Sequence, residues 1–183
     1  MNGRSLFHWV GGWKAVPAIV LLHAVLPSTL AASPQTDPVK IAVFDFELED
    51  ASAGASIAGD SDADDQYMKA VSTAVRQEIE NSGRYRVIDV AGADAEAVRN
   101  RSLWKCNGCD AGIALALGAE QSLIGVVRRI TRTEYVVSFQ LRDAKTGARL
   151  AGQQSDLRMG ANYSWSRGAA GLIKSGLLES PRQ

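Results

Sequence analysis

The fold is decided by the stretch EYVVSFQLRDAKTGARLAGQQSDLR, which spans Glu134–Arg158. In its first part, apolar side chains alternate with mostly polar ones, and this period of two is the period of a half-buried β-strand. The apolar set is Tyr135, Val137, Phe139 and Leu141. The turn DAKTG, Asp143–Gly147, is typical of a hairpin because Gly supplies a left-handed backbone conformation. The stretch therefore predicts an antiparallel β-hairpin.

Three further segments predict the rest of a sheet. EQSLIGVVRRITRTE, Glu120–Glu134, places another strand before the hairpin, so we expect a three-stranded antiparallel meander. Upstream, KIAVFDFEL, Lys40–Leu48, is rich in apolar, β-branched and aromatic residues, as a buried strand would be. RYRVIDV, Arg84–Val90, predicts a second short strand. The sheet is expected to be mixed, with the meander at its C-terminal side.

Helices are predicted between these strands. Ala63–Ser82 has apolar residues at three- and four-residue spacing, which is the pattern of one buried helix face. The residues of that face are Met68, Val71, Val75 and Ile79. Asp110–Ala119 predicts a short buried helix, and Ser164–Ser180 predicts a terminal one. The expected fold is a single α/β domain over residues 39–180, with a mixed sheet and helices packed on it.

The first 32 residues have the pattern of a secretory signal peptide. Arg4 and Lys14 precede or flank an apolar run of roughly a dozen residues, and the small residues of PSTLAAS follow. We interpret residues 33–38 as a polar lead-in to the domain. The protein is therefore expected to be periplasmic or secreted, and no later apolar run predicts a transmembrane segment.

The composition excludes some functions. The 183 residues carry 20 basic and 20 acidic side chains, and this balance argues against a nucleic-acid binder, which is normally basic. Both histidines, His8 and His23, lie in the predicted signal peptide. The mature protein would then lack the side chain that most often acts as a general base. The sequence also has no glycine-rich phosphate loop after a strand.

Several of these segments resemble one fold of the bacterial envelope. KIAVFDF, SGRYRVID, LGAEQSLIGVV and LRDAKTGARL look like signatures shared by the TolB N-terminal domain, CsgG-like proteins and outer-membrane activators of penicillin-binding proteins. More closely, the chain resembles a secreted bacterial family known as a domain of unknown function, of the 3280 / 2380 type. That family has a CxxC before a helix and a tail that here is DLRMGANYSWSRG, Asp156–Gly168, without the family's acidic pair within Met159–Tyr163. The resemblance implies a fold and an envelope location, but no activity.

The only cysteines, Cys106 and Cys109, form a CxxC motif in LWKCNGCD. Covalent haem attachment requires a histidine after the second cysteine, and Asp110 stands there. A zinc site would need two more ligands in a mature chain without histidine. No cofactor is therefore expected at this motif.

Two interpretations of the motif remain. A CxxC at a helix start lowers the pKa of the first thiol, which favours thiol–disulfide exchange. Against this, the motif lies late in the domain, and no proline lies between Pro38 and Pro181 to stand beside the cysteines as in thioredoxins. The other interpretation is a structural disulfide, which an oxidising compartment favours. We favour the disulfide and keep exchange as the alternative.

The segment Glu47–Asp65 is acidic and is predicted to be a surface loop. Three aspartates at alternate positions suggest the start of a calcium loop: Asp60, Asp62 and Asp64. An EF-hand needs Gly at its sixth position and Glu at its twelfth, and these positions hold Asp65 and Val71. The expected metal is therefore none, with binding of a cation or small ligand by this loop as a weaker alternative. Otherwise these acids begin the next helix.

Arg158, Trp165 and Arg167 form the last candidate site. An aromatic residue between arginines is the composition of a protein-interface anchor, so these residues are a candidate interaction surface. Alternatively, Trp165 attaches the terminal helix to the sheet. The predicted function is a non-catalytic accessory or interaction module of the cell envelope, with an unidentified envelope protein as partner and an open oligomeric state.

Overall fold

Strands and helices alternate in the first half of the chain, and strands follow one another in the second. The computed structural model describes residues 37–53, 62–94, 96, 98, 102–131, 133–158 and 164–179. In chain order the elements are β1 (Val39–Val43), β2 (Glu47–Asp50), α1 (Asp62–Asn81), β3 (Tyr85–Ile88), α2 (Cys109–Ala116), β4 (Gln121–Arg129), β5 (Glu134–Asp143), β6 (Arg149–Arg158) and α3 (Ser164–Ile173), with a π-helical segment (Lys174–Leu178) after α3.

The strands form one mixed sheet in the order β3-β1-β4-β5-β6. β1 is parallel to both neighbours, β3 and β4, whereas β4, β5 and β6 are antiparallel to one another. The expected α/β fold and its C-terminal antiparallel meander are thus confirmed. A register shift at Leu141 and Arg142 adds a bulge near the start of β6.

The predicted strand Lys40–Leu48 is divided into two strands. β1 and β2 both pair in parallel with β4, but the chain advances four residues from Val43 to Glu47 while β4 advances three, from Leu123 to Val126. This extra residue is a β-bulge that ends one strand and begins the next. The backbone groups it frees are satisfied by α1: Arg76 donates to the Val43 carbonyl at 3.0 and 3.2 Å.

Helices α1 and α3 cover one face of the sheet, which we call the α1 face. The predicted apolar stripe of α1 is buried there, together with alternate residues of β5 and the inner face of α3. The largest fully buried side chains of this core are Ile41, Ile79, Leu123, Phe139, Trp165 and Ile173. The hydrophobic period of each element therefore determines which of its sides is buried.

Helix α2 covers part of the opposite face, which we call the α2 face. A smaller apolar core lies there between α2, the segment before it and the centre of the sheet. Its buried members are Ala42, Phe44, Leu103, Ala114, Ala119, Ile124 and Ala144. Since β1 and β4 have helices on both faces, their side chains are buried on both sides.

The predicted signal peptide, residues 1–32, lies outside the described residues, as does most of the lead-in at 33–38. In the part of the chain that is described, no helix has both the length and the apolar character needed to cross a membrane.

Candidate functional site

The acidic segment Glu47–Asp65 is not one loop. Glu47–Asp50 is strand β2, and the chain is already helical from Asp62. The strand forms because β4 continues beyond the end of β1 and offers free backbone groups to a second parallel partner. Asp60, one of the three predicted cation ligands, lies outside the described residues.

Arg129 occupies the position between the acids of this segment. Its guanidinium is 2.7 Å from Asp50 at the end of β2 and 2.7 Å from Asp64 in the first turn of α1. It also lies 5.8 Å from the ring centres of Tyr135 and Trp165. Since all these side chains are largely shielded from water, the cation neutralises two carboxylates where their repulsion would be strong.

The two pKa shifts in this cluster follow from burial and pairing. Burial raises the pKa of Asp50, but hydrogen bonds from Ser52 and Arg129 outweigh it, so the net pKa lies below its ordinary value. Burial lowers the pKa of Arg129, but the interactions with Asp50 and Asp64 raise it by more. The net pKa therefore lies above its ordinary value, and the guanidinium stays charged. Asp50 and Arg129 are therefore both charged in the native state.

The two glutamates of β2 are also engaged. Glu49 is 2.7 Å from Arg128 and 3.4 Å from Lys105, and the hydrogen bond from Arg128 is the main cause that lowers its pKa. Glu47 accepts hydrogen bonds from the Trp104 backbone at 3.1 Å and from the Ser102 hydroxyl.

These contacts bear on the cation-binding alternative in part. Glu47, Glu49, Asp50 and Asp64 are held by arginine, lysine and hydrogen-bond donors, and the described residues contain no group of three metal-ligating side chains, but Asp60 lies outside those residues and the alternative stays a prediction. Asp62 and Asp64 are placed in the first turn of α1, where the helix dipole favours acids. The acids of this segment thus hold β2, α1 and β4 together.

The structure joins Cys106 and Cys109 in a disulfide with a Cα separation of 5.8 Å. The two residues between them have left-handed backbones, with φ of 50° at Asn107 and 113° at Gly108. These residue types adopt that conformation at low cost, which is why a four-residue ring closes here. The Cys109 N–H donates to Cys106 Sγ at 3.3 Å, and α2 begins at Cys109.

Sequence reasoning missed a buried ion pair next to the disulfide. Asp110 is completely buried, accepts a 2.6 Å hydrogen bond from Ser122, and lies 3.8 Å from Arg142 Nε. Arg142 also donates to Asn107 Oδ1 and to the Gly147 carbonyl, each at 3.1 Å. It thereby connects the disulfide loop to the hairpin turn. The sequence did contain one sign of this ion pair: Arg142 lies on the polar side of β5, opposite the buried apolar residues of that strand.

The expected interaction surface is corrected in its central residue. Trp165 has no exposed surface; its ring packs 5.1 Å from Tyr135 and 6.0 Å from Tyr67. It attaches α3 to the sheet, and the prediction that it forms part of a surface is wrong because an indole ring stabilises a core more than it does an exposed turn. Arg167 is exposed on α3, and Arg158 ends β6, with its side chain outside the described residues.

Strand β6 forms an edge of the sheet, and two hydrogen bonds show which of its backbone groups face outward. The Ala144 N–H donates to Glu120 at 2.9 Å, so even-numbered residues of β5 bond toward β4. The Asp143 N–H donates to Ala148 at 2.9 Å, so odd-numbered residues bond toward β6. In an antiparallel ladder these two directions alternate along the strand.

The outward groups of β6 therefore belong to Gly152, Gln154 and Asp156. Each lies opposite an even-numbered residue of β5, so its N–H and C=O point away from the sheet. Among the described residues, β6 pairs with β5 alone. A ten-residue strand with one unpaired side is a template for another strand.

An open groove of about 680 Å³ reaches the start of this edge and continues across the ends of the other strands, past Asp143, Gln121, Val39 and Tyr85. Leu141, Leu150 and Leu177 supply apolar lining, and Leu150 is 44% exposed because the bulge turns it outward. Arg149 lies at the rim, and its guanidinium occupies the space that a Cβ on Gly152 would fill. The edge and groove together form the candidate site of this molecule.

A comparison with known protein families identifies the family of this chain. The profile of the family described as "Protein of unknown function (DUF2380)" matches residues 39–177. The chain belongs to this family. That membership confirms the resemblance to a domain of unknown function, and the matched residues run from the start of β1 into the π-helical segment. Among curated proteins, no sequence matches the chain.

Solved structures with a similar backbone come from several bacteria. The LpoB C-terminal domain from Salmonella enterica aligns with a TM-score of 0.49 at 14% identity, covering 70% of this chain and 88% of that one. TolB from Acinetobacter baumannii gives 0.46 at 18% identity, with 82% and 31% covered. Lipoprotein GNA1162 from Neisseria meningitidis gives 0.43 at 17% identity, with 75% and 92% covered.

Proposed function

We propose that this DUF2380 protein is a non-catalytic accessory module of the cell envelope that binds a partner protein by strand addition at β6. The observation that carries the proposal is the ten-residue strand β6, which within the described part of the chain is paired on one side only and has outward backbone groups at Gly152, Gln154 and Asp156. Main-chain hydrogen bonds to such an edge supply affinity, and neighbouring pockets supply specificity. This molecule has both features: the edge for main-chain hydrogen bonds and the groove as a neighbouring pocket.

An envelope location is supported by two features. The pattern of residues 1–32 is that of an export signal, and Cys106 and Cys109 form a disulfide, a bond that persists in oxidising compartments. The proposed location is the periplasm or the cell exterior. N-terminal sequencing of the protein purified from a periplasmic fraction tests it, and a cytoplasmic protein that retains residues 1–32 would refute it.

The mechanism is recognition by a rigid scaffold. Arg129 fixes α1, β2 and α3 to one end of the sheet, and Arg142 fixes the hairpin to the disulfide loop. The edge is therefore presented in a fixed shape, which lowers the entropy lost when a partner strand binds.

Gln154→Pro tests the proposal with little disturbance of the fold. Its N–H faces outward, so proline removes a donor for the partner and no hydrogen bond to β5. Gln154→Ala is the matched control because it removes the same side chain and keeps the N–H. We expect an envelope protein to be captured from a membrane extract by wild type and Gln154→Ala and lost with Gln154→Pro. Equal capture by all forms would refute strand addition.

Thiol–disulfide exchange is the rival function, and one contact favours it. The Cys109 N–H donates to Cys106 Sγ, an arrangement that would stabilise a thiolate in the reduced protein. The purified protein should nevertheless fail to catalyse insulin reduction, since we assign the bridge to positioning α2. Turnover that disappears in Cys106→Ser would establish the rival.

A further inference from the structure

The groove beside β6 indicates what kind of segment the edge accepts. Because β6 alternates between faces, Gly152 lies toward the α2 face, while Ala151 and Gln153 lie toward the α1 face, where Gln153 approaches Gly176 of the π-helical segment. An added strand would continue this alternation. Its side chains would meet a groove with both apolar and polar lining on one face and a different surface on the other.

The α1 face of the groove is suited to an apolar side chain. Leu141 and Leu177 are buried at its floor, Ala151 is half-buried, and the exposed Leu150 lies at its mouth. An exposed leucine beside a concave apolar surface is stabilised when a second apolar group covers it. A leucine-sized side chain fits a space of about 680 Å³ without displacing the backbone.

The α2 face at the same point carries a cation. The Arg149 side chain lies over Gly152, is exposed, and has no ion pair or hydrogen-bond partner among the described residues. Arg84, the other arginine of the groove, already donates to the Leu177 carbonyl. Asp143 contributes a carboxylate, but its oxygen accepts hydrogen bonds from the turn at Thr146. At the start of the edge, where the groove ends, the unpaired charge is therefore positive, whereas the exposed carboxylate of Asp156 lies four residues farther along β6.

Resting on the proposed function, we propose that the bound segment is an extended peptide with an apolar residue directly next to an acidic one. Consecutive residues of a strand point to opposite faces, so this pair places the apolar side chain against Leu150 and Leu177 and the carboxylate against Arg149. The glycine at 152 allows this approach, because any larger residue would displace the Arg149 guanidinium.

Fluorescence anisotropy with three labelled octapeptides tests the pair. The probe is Thr-Thr-Val-Thr-Leu-Glu-Thr-Thr, and its controls replace Glu by Gln or Leu by Ser. We expect the Gln peptide to bind roughly fivefold more weakly, as the loss of one exposed ion pair predicts. The Ser peptide should bind about tenfold more weakly or worse, because the leucine surface is no longer buried.

Reversing the charge at Arg149 provides the decisive test of the acidic position in the peptide. Arg149→Glu should reverse the preference, so that a peptide with Lys in place of Glu binds best, and Gln154→Pro should abolish binding of every peptide. Equal binding of the Glu and Gln peptides, or no effect of Arg149→Glu, would overturn the acidic–apolar assignment.

Two further outcomes separate this inference from the function on which it rests. If no peptide binds while Gln154→Pro still abolishes capture of the envelope protein, the inference fails and strand addition stands. If sedimentation shows a dimer of wild type that Gln154→Pro converts to a monomer, the edge binds a second copy of the chain, and the peptide assignment is overturned.

Discussion

At the scale of single residues, Arg129 is the side chain on which most local structure depends. It pairs with Asp50 and Asp64, and its removal would take this cation away from two largely buried carboxylates. Arg129→Met is expected to lower the free energy of unfolding by about 3 kcal/mol, the range found when one partner of a buried ion pair is removed. Urea unfolding measures this change.

Arg128→Met is the matched control for that substitution. Arg128 is the preceding residue, pairs with Glu49 and is much more exposed. Removing it should cost less than about 1 kcal/mol, because exposed ion pairs contribute little. Equal losses from the two variants would contradict the central role of Arg129.

The same cluster predicts a dependence of stability on pH. The pKa of Asp50 is lowered in the folded protein, so its ionised form stabilises the native state above the ordinary value of 3.8. This stability is lost as the pH falls through the folded pKa. The stability difference between wild type and Arg129→Met should therefore shrink between pH 5 and about pH 3. Urea titrations at several pH values would show it, and a constant difference would contradict it.

Gly125 is a residue whose importance the sequence does not reveal. It lies in β4 where the bulge brings Phe46 over the strand, and a Cβ there would overlap the aromatic ring. Gly125→Ala should destabilise the protein by about 1–3 kcal/mol through overpacking. Gly112→Ala, in α2 with open space around it, should leave stability unchanged or raise it. Thermal unfolding of both variants tests this contrast.

Residue types alone predicted some of these contacts and not others. The apolar stripe of α1 and the alternation of β5 could be identified because burial follows their period. The partners of Asp64 and Asp110 could not, because Arg129 and Arg142 are distant in sequence and only the sheet register brings them near. For Trp165 the sequence allowed either an exposed interface position or a buried position beneath α3. The packing of α3 shows that the ring is buried.

At the scale of elements, the disulfide loop connects α2 to the sheet. Closing a four-residue ring restricts the unfolded chain little, and the loop-entropy relation gives about 2 kcal/mol. The double variant Cys106→Ser/Cys109→Ser should therefore remain folded with about that loss in unfolding free energy. Reduction of the wild type should give the same loss, and a protein that fails to fold without the bridge would contradict this assignment.

The division of β1 from β2 also belongs to this scale. KIAVFDFEL is dominated by apolar residues and so predicts one strand, although the polar residue in its middle, Asp45, lies at the bulge. The interruption depends on Ser72 and Arg76 of α1, which satisfy the backbone of Phe46 and Val43. Because these partners, an accepting hydroxyl at Ser72 and a donating guanidinium at Arg76, come from a helix some thirty residues later, the break is a tertiary effect.

At the scale of the whole molecule, strand content and the helices on the sheet were predictable, whereas the open edge was not. The alternation of apolar and polar residues predicts which face of a strand is buried. It does not predict the order of the strands, which determines the strand at the edge of the sheet. β6 has a mixed polar sequence, GQQSD, that is typical of an edge, and its outward groups follow only from the hairpin hydrogen bonds.

Amide hydrogen exchange along β6, followed by NMR in the free protein, tests the open edge most directly. The outward amides of Gly152, Gln154 and Asp156 should exchange rapidly, whereas those of Gln153, Ser155 and Leu157, which face β5, should be protected. Adding the captured envelope partner should protect the outward set. Uniform slow exchange before the partner is added, or no new protection after it, would contradict binding by strand addition.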